Sequence, residues 1–150
     1  MTLGVGVDLL PKEEYSIAHK HYEGIEQYLE RMNRYTTYHS LLKIKEGYKF
    51  SWKDLVTKPV NEFLSRYFFG EGYKDGIHGL ALALLQAFSE LVMYLKIWQK
   101  EGFNEVTPDV SEVISLMKSQ EKQNHYWWAD TLLKQKGGIT QRIKRKFKLA

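Results

Sequence analysis

Two histidines near the start of the chain, His19 and His21, carry side chains that bind divalent ions and phosphate groups. One residue separates them, so on an extended strand both point to the same side. From this spacing alone, two surface histidines without a ligand role are the simpler interpretation. The pair is nevertheless a candidate binding site for a divalent ion or a pyrophosphate.

A second candidate site follows in Arg31-Met32-Asn33-Arg34-Tyr35. Arg31 and Arg34 are three apart, so on a helix they face the same way and can donate paired hydrogen bonds to phosphate oxygens. The ring of Tyr35 offers a stacking plane for a sugar. The alternative is a solvated helix end, where positive charge is favourable, with Tyr35 turned toward the core.

Lysines and aromatic residues alternate in the next segment. Lys43, Lys45, Lys49, Lys53 and Lys58 are interleaved with Tyr48, Phe50 and Trp52. This mixture is typical of a membrane–water interface, where rings lie at headgroup level and lysines meet lipid phosphates. The residues expected there are Lys43, Lys45, Lys49, Trp52, Lys53 and Trp98. A charged face with ordinary core aromatics is the alternative, and nucleic acid is less favoured because no recognised binding motif accompanies the pattern.

The most apolar segment runs from Ile77 to Trp98. A helix of this length covers about 30 Å, the thickness of a bilayer's hydrocarbon core. Polar residues interrupt it, and Gln86 and Glu90, four apart, form a narrow polar strip. Such a helix is either buried in protein or partly buried in lipid. The sequence does not decide whether it would span a membrane or lie in the membrane interface.

Periodicity elsewhere predicts a mostly α protein with a bundle of amphipathic and apolar helices and a basic tail. One short strand is predicted over residues 3–7. Pro59 is expected in the first turn of a new helix, and Thr107-Pro108-Asp109 is a typical helix start. Four parts are expected: a strand and loop (1–22), a helical membrane-associated region (23–102), one or two further helices (103–136) and a glycine hinge with a basic tail (137–150).

The net charge of +4 is concentrated at the end of the chain. Five basic residues follow Gly137 without an acidic one, so everything before carries a net charge of −1. There is no cysteine, which excludes a disulfide framework and a cysteine-based zinc site. No Gly-rich phosphate loop or His-Glu-x-x-His motif is present. The first residues lack the pattern of a secretory signal.

The order of several motifs resembles the C-terminal part of bacterial family 2 glycosyltransferases of the lipopolysaccharide-core type. In those enzymes a histidine-bearing strand end leads into a helix that finishes in Asn-Arg-Tyr-Thr, followed by a hydrophobic, membrane-associated tail. The resemblance covers roughly two thirds of the chain and is carried by His19 to Thr37, Lys58-Pro59, Phe63-Leu64, Gly72-Tyr73-Lys74-Asp75-Gly76, Gly79-Leu80 and Lys96-Ile97-Trp98.

This resemblance implies roles for specific residues. His19 matches a late histidine beside the metal-bound nucleotide diphosphate, and Arg31 to Tyr35 is similar to the Arg/Gln-x-x-Arg-Trp signature, with Tyr in place of Trp. Intact relatives would transfer a sugar from a nucleotide-sugar donor to a lipid-linked or core-oligosaccharide acceptor. The residues on the donor or acceptor side would therefore include His19, His21, Arg31, Arg34 and Tyr35. An intact relative would use Mg or Mn and lie on the cytoplasmic face of the inner membrane, or in the cytoplasm.

The sequence contains no Asp-x-Asp metal motif and no evident catalytic base. The nucleotide-binding half would lie before Met1 or on a partner chain, and this chain alone is expected not to turn over. The competing hypothesis is a small helical module without catalysis that binds anionic lipid or nucleic acid. Electrostatic binding would weaken steeply with salt, whereas insertion of the apolar helix would survive it.

Overall fold

The computed structural model describes residues 24–136 and 138–148. Five α-helices follow one another: α1 (Ile25–Lys45), α2 (Asp54–Leu64), α3 (Gly76–Lys100), α4 (Val110–Lys136) and α5 (Ile139–Phe147). A π-helical turn, Ser65–Phe69, extends α2, and a 3-10 turn, Gly72–Asp75, precedes α3. The described residues contain no strand, which confirms the mostly α prediction. The strand predicted over residues 3–7 lies outside them.

Glycines with positive φ end two of the helices. At the end of α1, Gly47 has a φ of +86° and Tyr48 N–H donates to the Lys43 carbonyl at 2.9 Å. At the end of α3, Gly102 has a φ of +82° and Phe103 N–H donates to the Trp98 carbonyl at 3.0 Å. Both are Schellman caps, in which glycine adopts the left-handed conformation without steric cost.

Pro59 lies inside α2 and does not begin a new helix, contrary to the sequence-based prediction. The helix starts at Asp54, so Pro59 is its sixth residue, and only the Leu55 carbonyl loses a helical partner. The third helix, α3, starts directly after Asp75, whose side chain forms no capping hydrogen bond.

The core forms where α1, the following loop and α2 meet the second half of α3. Ile97 is fully buried there, next to Met93 and Tyr94. Side chains packed against these three come from the end of α1, the loop and the start of α2: Ile44, Tyr48, Phe50 and Leu55. The second half of α3 is therefore the central element to which α1 and α2 are attached.

The remaining helices form a hairpin beside α2. The single helix α4 covers the region for which one or two helices were predicted, and its Trp127 ring meets Phe69 at 5.8 Å. The short α5 packs back on α4, where Arg145 Nη1 lies 2.9 Å from Asp130 Oδ1. The basic tail is thus helical and held to the protein by an ion pair.

Candidate functional site

A continuous apolar stripe runs along α3. The spacing alternates four and three residues, which places all seven members on one face: Ile77, Ala81, Leu84, Phe88, Leu91, Leu95 and Trp98. None of the seven is buried. Ile77, Leu84 and Phe88 are 72, 54 and 46 % exposed. From first to last the stripe measures about 32 Å at 1.5 Å per residue.

The buried side of α3 faces the opposite way. Gly79, Ala83, Met93 and Ile97 lie there, together with the polar strip of Gln86 and Glu90 that faces α1. The segment Gly72–Lys100 is long and apolar enough to cross a membrane. Only 22 % of its most apolar 18-residue stretch is buried inside the protein. A helix with one protein-facing side and one exposed apolar side is suited to lie in an interface.

The lysines and aromatic residues predicted for a membrane interface divide into two groups. Lys45, Lys49 and Lys53 are exposed, whereas the Lys43 ammonium lies 5.5 Å from the centre of the Tyr48 ring and is partly buried. Trp98, at the end of the stripe, stacks on Phe50 with ring centres 5.8 Å apart and donates from Nε1 to the Asn104 carbonyl at 3.0 Å. Trp52 is partly buried.

A second amphipathic surface is provided by α5. Ile143 and Phe147, four apart, are 49 and 62 % exposed. Arg142, Lys146 and Lys148 are exposed as well. Burial alone would raise the pKa of Asp130, but the hydrogen bonds from Arg145 and Lys134 outweigh it and lower this pKa, so the carboxylate that holds α5 stays ionised.

A polar groove of about 640 Å³ lies between α1, the end of α2 and α3. Its charged and titratable lining consists of His39, Lys43, Glu46, Glu62, Arg66 and Glu90. Arg66 Nε lies 2.7 Å from Glu62 Oε1. Burial first, and then the charge of Glu62, raise the pKa of Glu90. The carboxyl group of Glu90 in the groove therefore keeps its proton to a higher pH than a solvated glutamate does.

Three of the residues predicted to bind donor or acceptor are described by the structure, and of these only Tyr35 lines the groove. Tyr35 is 59 % exposed and lies on the α1 wall. Arg31 and Arg34, on the same helix, are not among the described lining residues. His19 and His21 lie outside the described part of the chain, and so does the metal role predicted for His19.

The motif around Asn33, between the two arginines of α1 and the threonines that follow, has a structural role that the sequence interpretation missed. The Lys96 ammonium donates to Asn33 O and Oδ1 at 2.7 Å, to Thr36 Oγ1 at 2.9 Å and to Thr37 Oγ1 at 2.7 Å. Within the described residues no carboxylate pairs with Lys96, and burial lowers its pKa. Asn33, Thr36 and Thr37 therefore attach α3 to α1.

Sequence reasoning also missed His39, Glu62 and Arg66, because they come from separate elements that only the fold brings together. The polar strip of Gln86 and Glu90 was the one available signal, and both residues do face the groove. Among the described residues no three His, Asp or Glu side chains are grouped to hold a metal ion.

Comparison with protein-family models, with curated proteins and with solved structures finds no match.

Proposed function

We propose that the chain docks on an anionic membrane surface through α3, as the helical membrane-associated part of a family 2 glycosyltransferase. The observation that carries the docking is the α3 stripe: seven apolar residues on one face, none of them buried. Its exposed members leave apolar area in contact with water, which a lipid surface would remove at about 25 cal/mol per Å². The proposed location is the cytoplasmic leaflet of the inner membrane.

Lipid is a better occupant of this stripe than a second helix. The spacing is the heptad pattern of a coiled coil, in which charged residues beside the stripe normally select the partner helix. Here the flanking positions are His78, Leu80, Leu85, Ala87, Val92 and Tyr94, without an Asp, Glu, Lys or Arg. No charged side chain beside the stripe is therefore available to select a partner helix, which favours immersion in lipid.

The end of the stripe also suits a headgroup region. Trp98 closes it, stacked on Phe50, and the exposed Lys49 and Lys53 belong to the segment around Phe50. Aromatic rings with an N–H or O–H group favour the interface, and each lysine near an anionic surface contributes about 1 kcal/mol. The proposed orientation places α3 flat, with the stripe toward the lipid.

The glycosyltransferase part of the proposal rests on the motif order along the chain and on the position of Tyr35 in a polar groove. The nucleotide-binding half and its Mg or Mn would come from a preceding segment or a partner chain. Calorimetric titration with uridine diphosphate and manganese tests whether this chain retains a donor half-site. Saturable binding that is lost in a His19→Ala, Arg34→Ala variant supports it, and absence of heat counts against it.

Vesicle flotation tests the docking directly. Vesicles of phosphatidylglycerol and phosphatidylethanolamine are mixed with wild type and with a Leu84→Gln, Phe88→Gln variant, whose two sites are 54 and 46 % exposed. The matched control is Val110→Gln, Ile114→Gln on α4, a pair with the same spacing and exposures of 72 and 48 %. All three proteins should fold alike because the substituted side chains are exposed.

We expect wild type and control to float with the vesicles, also in about 1 M NaCl, where charge interactions reach only about 3 Å. The Leu84→Gln, Phe88→Gln variant should bind at least about tenfold more weakly, because two large apolar groups no longer enter the lipid. Equal flotation of the two variants would remove α3 from the docking surface.

A second candidate function is favoured by α5, whose exposed cations and apolar residues form an amphipathic surface of their own. In that case the chain would be a binding module for anionic lipid that acts through charge. Flotation lost in about 1 M NaCl, and unaffected by the α3 substitutions, would support this function over the first.

A further inference from the structure

The groove between α1, α2 and α3 has the chemical composition of a saccharide site. One wall carries an aromatic ring with an open face, Tyr35, which is 59 % exposed. The facing wall carries planar polar groups from α3, Gln86 and Glu90. A volume of about 640 Å³ falls within the range of about 300–1,000 Å³ that small-molecule sites occupy.

Two polar side chains of the groove have free hydrogen-bonding capacity. Neither the Gln86 amide nor the Glu90 carboxylate forms a hydrogen bond or ion pair with a residue that the structure describes. Both are partly buried, but their polar atoms remain open to solvent, so a ligand in the groove can reach them. An amide donates and accepts and a carboxylate accepts, so together they match the hydroxyl groups of a sugar.

The charge of the groove argues against an anionic ligand. Glu46, Glu62 and Glu90 outnumber the two cations, Lys43 and Arg66. Arg66 is paired with Glu62 at 2.7 Å, and Lys43 lies over the rings of Tyr48 and Tyr94 at 5.5 and 5.8 Å. Because carboxylates outnumber cations and one of the two cations is already paired with a carboxylate, the described lining favours a neutral polyhydroxyl ligand over a phosphate.

We propose that this groove binds a neutral saccharide, with Tyr35 stacking on the sugar face and Gln86 and Glu90 hydrogen-bonded to its hydroxyl groups. Saccharide binding in this groove does not depend on the proposed function. Only the further step, that this saccharide is the acceptor of the glycosyl transfer, rests on the proposed function. Burial and the charge of Glu62 raise the pKa of Glu90, so its carboxyl group keeps a proton that it can donate up to a higher pH than a solvated glutamate does.

The test is saturation-transfer NMR of the full chain without membranes. The probes are the methyl glycosides of glucose, galactose, mannose and N-acetylglucosamine, with inorganic phosphate as the anionic probe. Tyr35→Ala and Glu90→Gln are compared with Tyr38→Ala, the matched control: Tyr38 lies three residues further along α1, is also 59 % exposed, and is not a lining residue of the groove. Circular dichroism checks that each variant is folded.

We expect at least one glycoside to bind saturably to wild type and to Tyr38→Ala. Tyr35→Ala should weaken binding about tenfold, since an aromatic stacking partner is removed. Glu90→Gln should weaken it by a smaller factor, because the amide retains one acceptor oxygen where the carboxylate has two. Absence of saturable glycoside binding, an equal loss in Tyr35→Ala and Tyr38→Ala, or preferential binding of phosphate would overturn the proposal. Vesicle flotation is independent of these outcomes, so either proposal can fail without the other.

Discussion

Replacement of Gly79 by alanine tests how α3 is positioned. Gly79 is a buried residue of α3 that lies against the 3-10 turn before it. A Cβ atom at this position would be 1.8 Å from the Gly72 carbonyl oxygen and 2.7 Å from the Gly72 carbonyl carbon, where real Cβ contacts are not under 3.0 Å. Both neighbours are backbone atoms, so relief requires movement of the turn or of the helix.

The expected loss of stability follows from two opposed terms. Overpacking of this kind costs about 3 kcal/mol, at the upper end of the usual range, because backbone and not a flexible side chain must move. Alanine in a helix is more favourable than glycine by about 1 kcal/mol. The net loss is therefore about 2 kcal/mol, which for a chain of this size lowers Tm by about 4–8 °C.

Thermal unfolding followed by circular dichroism measures the effect. The control is Ala81→Gly, an exposed position two residues further along the same helix, where only helix propensity acts and the expected loss is about 1 kcal/mol. If propensity alone operated, Gly79→Ala would stabilise the protein. A Gly79→Ala variant with a Tm above that of wild type would refute the close approach of α3 to Gly72.

Two further predictions concern the ion contacts between helices. Lys96→Met retains the length of the side chain but removes its hydrogen bonds to α1, so denaturant unfolding should show a loss of about 2 kcal/mol; an unchanged midpoint would contradict the role of this ammonium. Asp130→Asn should destabilise by a similar amount at pH 7, measured by hydrogen exchange of α5. Arg145 lowers the pKa of Asp130 in the folded protein, so the ion pair stabilises the fold above the unfolded-state pKa of about 3.9. This stabilisation is lost as the pH falls through the folded-state pKa. Wild type and Asp130→Asn should therefore have the same stability at low pH.

The helices were largely predictable because their signals are local. Apolar spacing fixes the course of α1 and α3, and the caps at Gly47 and Gly102 need only a glycine that adopts positive φ. The failure at Pro59, by contrast, is not local in origin. A proline is tolerated in the first turn and disfavoured later, but packing of α2 against α3 and α4 outweighs the loss of one helical hydrogen bond.

The candidate groove was predictable only in part. Tyr35 was singled out as a stacking residue, and the polar strip containing Glu90 marked α3 as unusual. That these residues face each other depends on long-range packing, which no spacing within one helix encodes. Asn33 illustrates the converse: in sequence it belongs to a motif suggestive of ligand binding, whereas in the fold it holds the Lys96 ammonium.

The most direct test of the docking proposal is a nitroxide scan of α3 on vesicles. The chain contains no cysteine, so single cysteines can be introduced along positions 77–98 without background. We predict that accessibility to dissolved oxygen rises on vesicle binding at the exposed positions 77, 84 and 88, stays low at the groove-facing positions 86 and 90, and so repeats about every 3.5 residues. High oxygen accessibility on every face would indicate a spanning helix, spin–spin broadening at 84 and 88 would indicate a second copy of the chain, and spectra unchanged by vesicles would contradict membrane docking.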